Sequence, residues 1–340
     1  MKALIYSAPE HFSVSDIPTP EPGRGQVLIR VRACGVCKTD LHIHHGKFSS
    51  AFPLIPGHEF AGEVAALGDG VTRCCVGDRV VADNQRACGA CDACRRGEPL
   101  YCTALFAQGV NAHGGFAEYT LVEEERIYPL ADERSFNDGT LVEPTACAIH
   151  GMDIIKPHLG DDVLLFGAGP TGLLLAQLLR RSGAALLAVA ELSPRKRELA
   201  VALAQAHPIS VLADNPQAHS DALHALRPAG FDIVIDATGV PAVVERLPDF
   251  VRMGGKLVFY GVCPEEAAIS LRPYDIFRRE LTILGSFSQL RTFHRAAALV
   301  NQGLITTEGM LTHTFPLEAW PEALRLMQQG GDAVKIVMAP

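Results

Sequence analysis

Cysteine, histidine and carboxylate side chains crowd two stretches of this chain, and a run of glycines marks a third. The first stretch reads Cys34-Gly35-Val36-Cys37-Lys38-Thr39-Asp40-Leu41-His42, then a loop, then Gly57-His58-Glu59-Phe60-Ala61-Gly62-Glu63-Val64. Thiolate and imidazole are ligands that suit zinc. They do not come as two tight pairs, so the spacing is not that of a zinc finger. It fits an open metal site whose ligands arrive on separate loops and leave one position for substrate. Cys34 and Cys37 are both available, and the local spacing does not choose between them.

The second stretch is Cys88-Gly89-Ala90-Cys91-Asp92-Ala93-Cys94, followed by Cys102. Four thiols this close converge on one tetrahedral ion, close its shell and leave no room for substrate, which makes that zinc structural. A redox pair or chance clustering is the plainer alternative. The third stretch is Gly167-Ala168-Gly169-Pro170-Thr171-Gly172. It follows the apolar run Asp162-Val163-Leu164-Leu165-Phe166, opens an apolar helix reaching Leu179, and has an acidic residue, Glu191, about twenty positions on. In that setting Gly167 allows the tight turn, Gly169 lets backbone approach a pyrophosphate, and Gly172 lets the helix pack closely. Glu191 would accept hydrogen bonds from ribose hydroxyls and repel a 2′-phosphate, which favours NAD. Arg195 and Lys196 keep NADP open as the alternative.

The elements that must position these groups change character along the chain. Residues 1 to about 145 hold short alternating strands, among them Gln26–Arg32, Gly62–Gly68 and Asp78–Ala82, with turns at Pro18–Gly25 and Pro53–Gly57. This half reads as an irregular β domain. Beyond it, apolar runs at Asp162–Phe166, Ala185–Ala190, Phe231–Asp236 and Lys256–Tyr260 alternate with helices, one starting at Ser193-Pro194. That alternation implies right-handed crossovers and a parallel sheet. The expected domains are 1–149 with 284–340, and 150–283. A helix near Thr292–Asn301, another near Leu317–Gln329 and a closing strand Val334–Met338 complete the chain.

Composition sets the remaining bounds. The chain has 340 residues and 48% hydrophobic content, enough for two cores. A net charge of -8 without basic blocks excludes a nucleic-acid binder. No run reaches the ~18 apolar residues of a membrane span, and Met1–Tyr6 is too short for a signal peptide. The expectation is a cytoplasmic protein whose ten cysteines are thiols or metal ligands.

With these sites placed, the chain resembles the zinc-dependent medium-chain alcohol dehydrogenases along its whole length. Gly57-His58-Glu59, Gly62, Gly68 and Val71 match the zinc signature, and the cysteine lobe and glycine fingerprint follow in the family's order. The resemblance implies an α/β architecture, a GroES-like irregular β catalytic domain joined to a Rossmann doubly wound sheet. It selects Cys37, followed by Lys38-Thr39-Asp40, as the early ligand and leaves Cys34, Cys74, Cys75, Cys147 and Cys263 as buried thiols. His58 becomes the second ligand and Glu59 a near or alternating one. Leu141-Val142-Glu143-Pro144 resembles the polyol and threonine dehydrogenase branch, which carries Glu143 over as a further ligand. A helix-start carboxylate is the plainer reading of Glu143.

The cofactors implied are one catalytic zinc, one structural zinc at Cys88, Cys91, Cys94 and Cys102, and NAD bound by Gly167, Gly169, Pro170, Thr171, Gly172, Glu191 and Arg195. Zinc lowers the pKa of a substrate hydroxyl and the nicotinamide takes the hydride. Thr39 resembles the family's relay hydroxyl, and His42 stands where some members pass the proton to solvent. Asp40 orients the loop, and His44 and His45 are loop residues. Phe48, Phe106, Phe287 and Arg291 are candidate pocket walls. The substrate implied is a polyol of the sorbitol or arabinitol kind, with threonine or a simple alcohol as alternative. A non-enzymatic zinc- and cofactor-binding module is the distant one. The family also implies a homo-oligomer, dimer or tetramer.

Overall fold

The computed structural model describes residues 1–47, 50–212 and 215–340. The chain forms two compact units, Met1–Ala146 with Leu290–Pro340, and Cys147–Gln289. The strand Thr282–Gly285 runs across the 283/284 boundary expected from sequence and pairs within the second unit's sheet.

The first unit is built on the strand Gln26–Gly35. It pairs along its length with Glu59–Leu67, and its other edge is shared by Tyr119–Glu123 and the closing strand Lys335–Met338. Leu311–Phe315, Arg79–Ala82 and Ile127–Pro129 extend the sheet. The hairpin Lys2–Ala8/His11–Asp16 packs beside it. Tyr6, Phe116 and Trp320, all fully buried, fill the core together with Ile29, Val31 and Phe60. The register places Gly35 opposite both Glu59 and Val337. Three chain segments from opposite ends of the sequence therefore meet at one edge of this sheet.

Directly after Gly35 the chain enters a helix, Lys38–His44, where sequence suggested loop around His44. Asp40 makes that helix possible, because its carboxylate accepts the Cys37 N–H (2.8 Å) and ties down the first turn. A further helix, Val142–Ile155, begins one residue before Glu143.

The second unit is a six-stranded parallel sheet. In chain order its strands are Asp162–Phe166, Leu186–Glu191, His207–Ser210, Phe231–Asp236, Val251–Phe259 and Thr282–Gly285, and they lie in the spatial order 3-2-1-4-5-6. This is the doubly wound dinucleotide-binding order, and its ligand crevice lies where strands one and four diverge. Val163, Leu164 and Leu165 are fully buried, as a strand covered on both faces requires. The helices Pro170–Arg181 and Pro194–Ala204 fall where sequence placed them. Among the described residues no helix is long and apolar enough to cross a membrane.

Candidate active site

The helix N-terminus at Cys37 and the start of the strand at Glu59 bring Cys37, His58 and Glu59 together. One ligand atom from each lies within 4.8 Å of the others. His58 and Glu59 are buried, and Cys37 is half-buried. Behind His58, Asp40 turns its second oxygen toward the ring, with Oδ1 3.8 Å from Nδ1. Neither atom has a hydrogen-bond partner among the described residues, although both are buried. Asp40 thus ties down the helix start and sets a carboxylate behind the ring. A carboxylate behind one imidazole nitrogen is the usual support for a ring that ligates metal through the other. Burial opposes charge on His58, but the Cys37 thiol, Asp40 and Glu143 hold its pKa well above the ordinary imidazole value. Burial raises Asp40 to about 6. A thiol, an imidazole and a carboxylate converging in a buried pocket are a donor set that fits zinc.

Glu143 is buried in the first turn of its helix. Its charge acts on His58 and Lys335, raising the pKa of each, but it stands outside the trio whose atoms lie within 4.8 Å. Thr39 and His42 lie three residues apart on Lys38–His44 and so share a face of that helix. Thr39 Oγ1 is 3.7 Å from Cys37 Sγ. His42 is half-buried, and burial, Lys38 and Lys47 lower its pKa.

Lys335 escaped sequence reasoning. It is 2% exposed, pairs with the Glu59 carboxylate, and donates a second bond to the Val36 carbonyl at 3.1 Å. Burial opposes its charge, yet Glu59, Cys37 and Glu143 raise its pKa. Gly35 leaves the space for this pair, since a Cβ there would stand 2.2 Å from Glu59 Oε2 and 2.7 Å from Lys335 Cε. A lysine in a strand otherwise made of Ile336, Val337 and Met338 is the signal that was available.

The four lobe cysteines also converge, with Cys91 and Cys94 sulfurs 3.5 Å apart and Cys88 and Cys94 sulfurs 4.0 Å apart. Around a tetrahedral zinc with bonds of ~2.3 Å, sulfurs stand roughly 3.8 Å apart, whereas a disulfide needs about 2.05 Å. All four are free thiols, and backbone N–H groups of Cys88 and Ala104 point at Cys102 Sγ (3.3 and 3.4 Å). The lobe thus has the sulfur spacing and the N–H support of a closed metal knuckle.

In the second unit, Gly167 adopts φ +97°, the left-handed region glycine favours. A Cβ on Gly172 would lie 2.1 Å from the Gly167 carbonyl oxygen, so only glycine lets the helix approach. Gly169 caps the helix Pro170–Arg181, and a Cβ there would meet nothing within 4 Å. Bare backbone with open space at a helix N-terminus is what a pyrophosphate requires. Pro170 and Thr171 form the first turn. Glu191 ends the second strand, and its carboxylate accepts N–H bonds from Ala168 (2.7 Å) and Ser193 (3.0 Å). Arg195 is exposed on the next helix, and Arg197 bonds the Glu191 and Leu192 carbonyls.

The candidate pocket walls and the remaining cysteines lie as follows. Phe106 is held between the guanidiniums of Arg86 (4.9 Å) and Arg126 (5.1 Å) at the foot of the lobe. Phe287 is exposed, and Phe48 lies outside the described residues. Cys34 is buried as expected, but Cys75 is exposed, and Cys74, Cys147 and Cys263 are half-buried.

Comparison with known proteins agrees with this architecture. Residues 23–132 match the alcohol dehydrogenase GroES-like domain, and residues 170–302 match the zinc-binding dehydrogenase domain. D-arabinitol dehydrogenase 1 of Uromyces fabae is 42% identical over 100% of this chain and 97% of its own. D-altritol 5-dehydrogenase of Agrobacterium fabrum is 37% identical over 93% of each. A zinc-binding dehydrogenase from Sinorhizobium meliloti, solved with NADP, superposes with a TM-score of 0.93 at 33% identity, covering 100% of this chain and 99% of that one.

Proposed function

The chain belongs to the zinc-dependent medium-chain dehydrogenases, and from that premise we propose that it oxidises a secondary hydroxyl of a polyol or sugar alcohol with NAD. The observation that carries the reading is the convergence of Cys37, His58 and Glu59, in a chain related end to end to a D-arabinitol dehydrogenase. Cys37, His58 and Glu143 would hold the catalytic zinc, with Glu59 as a near ligand, and Cys88, Cys91, Cys94 and Cys102 the structural one. Bound in the first of these sites, zinc supplies the Lewis acidity that lowers the pKa of a hydroxyl.

The protein's own groups do the rest. Asp40 keeps the His58 ring in place from behind. Lys335 balances the Glu59 charge and is itself anchored by the Val36 carbonyl. Thr39 Oγ1 accepts the hydroxyl proton as it gives up its own, and neutral His42, on the same helix face, takes the released proton toward solvent. Glu191, fixed by two backbone N–H bonds, meets the adenosine ribose and disfavours a 2′-phosphate, which supports NAD.

Copies of the chain would pair through the second unit. Among the described residues Thr282–Gly285 ends its sheet with an unpaired edge, and Met253, Phe277 and Ile283 stay exposed. Light scattering behind size exclusion reads this, and a monomer at micromolar concentration would refute it.

The function is tested by following reduced-nicotinamide absorbance with alditols, L-threonine and simple secondary alcohols, each with NAD and with NADP. The expected result is turnover fastest with an alditol and NAD. Absence of turnover on every alditol would overturn the reading, and preference for NADP would overturn the role given to Glu191.

A further inference from the structure

A second set of metal-ligating side chains lies outside the site described above and shares no residue with it. Glu10 forms the turn between the strands Lys2–Ala8 and His11–Asp16 at φ +64°. His44 is the last residue of the helix Lys38–His44, and His45 follows as its C-cap. The backbone clamps the two segments together, because the Glu10 N–H donates to the His44 carbonyl at 2.8 Å. Gly46, at φ +66°, completes the fit, since a Cβ there would come within 2.9 Å of Pro9 Cγ.

The side chains follow the backbone. One ligand atom from each of Glu10, His44 and His45 lies within 4.8 Å of the others. Glu10 Oε1 stands 3.3 Å from His45 Nδ1. That separation is long beside the ~2.9 Å usual for an N–H···O bond. It matches the roughly 3.4 Å between nitrogen and oxygen ligands on a tetrahedral zinc with bonds of about 2.0–2.2 Å. The two imidazole rings meet edge on, with centroids 4.9 Å apart.

His44 also has the backing that metal-binding imidazoles use. Its Nδ1 is bonded to the Tyr6 phenol at 2.9 Å, and that oxygen accepts the Trp320 indole N–H at 2.7 Å. Tyr6 and Trp320 are fully buried, so the ring orientation is set from the core and Nε2 is the nitrogen left for an ion.

We propose that Glu10, His44 and His45 form a third metal site, near the surface, which takes a divalent transition ion such as zinc, nickel or copper(II). Two imidazoles and one carboxylate select these over magnesium or calcium, which want an all-oxygen shell. Water completes the coordination, as an open three-ligand site allows. An ion held there ties the first hairpin to the end of the helix that carries Thr39 and His42.

The test starts from the zinc-loaded enzyme and compares it with Glu10→Gln and His45→Gln, neither of which is among the residues assigned to zinc, proton transfer or cofactor. Each protein is dialysed against rising free zinc, and bound metal is counted by mass spectrometry. Wild type gains one equivalent above its starting count. In each variant that extra equivalent needs at least about tenfold more zinc, while the starting count and basal turnover stay put. Copper(II) added to the zinc-loaded wild type gives an electron paramagnetic resonance spectrum split by two imidazole nitrogens, and His45→Gln removes one of them. The proposal is overturned if wild type takes up no extra ion at millimolar zinc, or if both variants fill at the wild-type concentration. A starting count below two would count against the two zinc sites of the proposed function and leave the increment readable.

Discussion

At the scale of single residues, the informative group is a charge pair that local sequence does not announce. Lys335 and Glu59 are each about 2% exposed and lie 276 residues apart. Removing one partner strands the other charge in a medium that cannot solvate it, which costs about 3–5 kcal/mol. Lys335→Met is therefore expected to lose stability of that order in urea unfolding of the zinc-free protein, and adding Glu59→Gln should recover a large part. An additive double mutant would mean that the pair is not coupled. Gly35→Ala tests the same place by volume, because its Cβ would stand 2.2 Å from Glu59 Oε2. The pair must then shift, and the expected outcome is at least about a tenfold fall in turnover with weaker zinc retention, read by activity and metal count. A metal site at this stretch was legible because the types and local spacing of its thiols, His58 and Glu59 announce one, but the choice of Cys37 over Cys34 came only from the family resemblance. Lys335 was not, since its meaning arises only when the closing strand pairs with Gln26–Gly35.

At the scale of elements, the cysteine lobe and the helix Lys38–His44 make opposite cases. The lobe was legible because all four thiols lie within one short segment. Little besides the metal would hold it: its regular structure is the single turn Asp92–Arg95 and a three-residue 3-10 turn. Cys94→Ser is expected to lose one zinc per chain and to open the lobe to trypsin at Arg95 and Arg96, both exposed. An unchanged zinc count, or an unchanged cleavage pattern, would refute the structural role. The helix was read as loop for a definable reason. It has only seven residues, its N-cap is a cysteine rather than a serine or threonine, and an aspartate closes the box in place of glutamate. His44 and His45 consequently looked like loop residues, although the helix end and the Tyr6 phenol hold His44 against the first hairpin.

At the scale of the molecule, the residues proposed to hold zinc and the glycine loop belong to different units, and this division makes a prediction. Cys37, His58, Glu59, Glu143 and the four lobe cysteines all lie in Met1–Ala146, whereas the glycine loop and Glu191 lie in Cys147–Gln289. The alternation of apolar strands and helices made the second unit readable from sequence, because a strand buried on both faces leaves an unbroken apolar run. The first unit's strand order was not readable, since its closing strand joins the sheet from the far end of the chain. The second unit's sheet carries its own core, including Leu164, Val234, Phe250 and Leu257, without any metal ligand from the two sites. Chelation should therefore abolish turnover while leaving the cofactor crevice formed. After dialysis against a strong chelator, NADH is expected to bind with an affinity within about threefold of the zinc-loaded value, measured by its fluorescence. Zinc-free protein should also melt in two steps, the earlier belonging to the first unit, because zinc stabilises only the fold that binds it. Loss of NADH binding together with activity, in one cooperative melt, would show that the second unit depends on the metals.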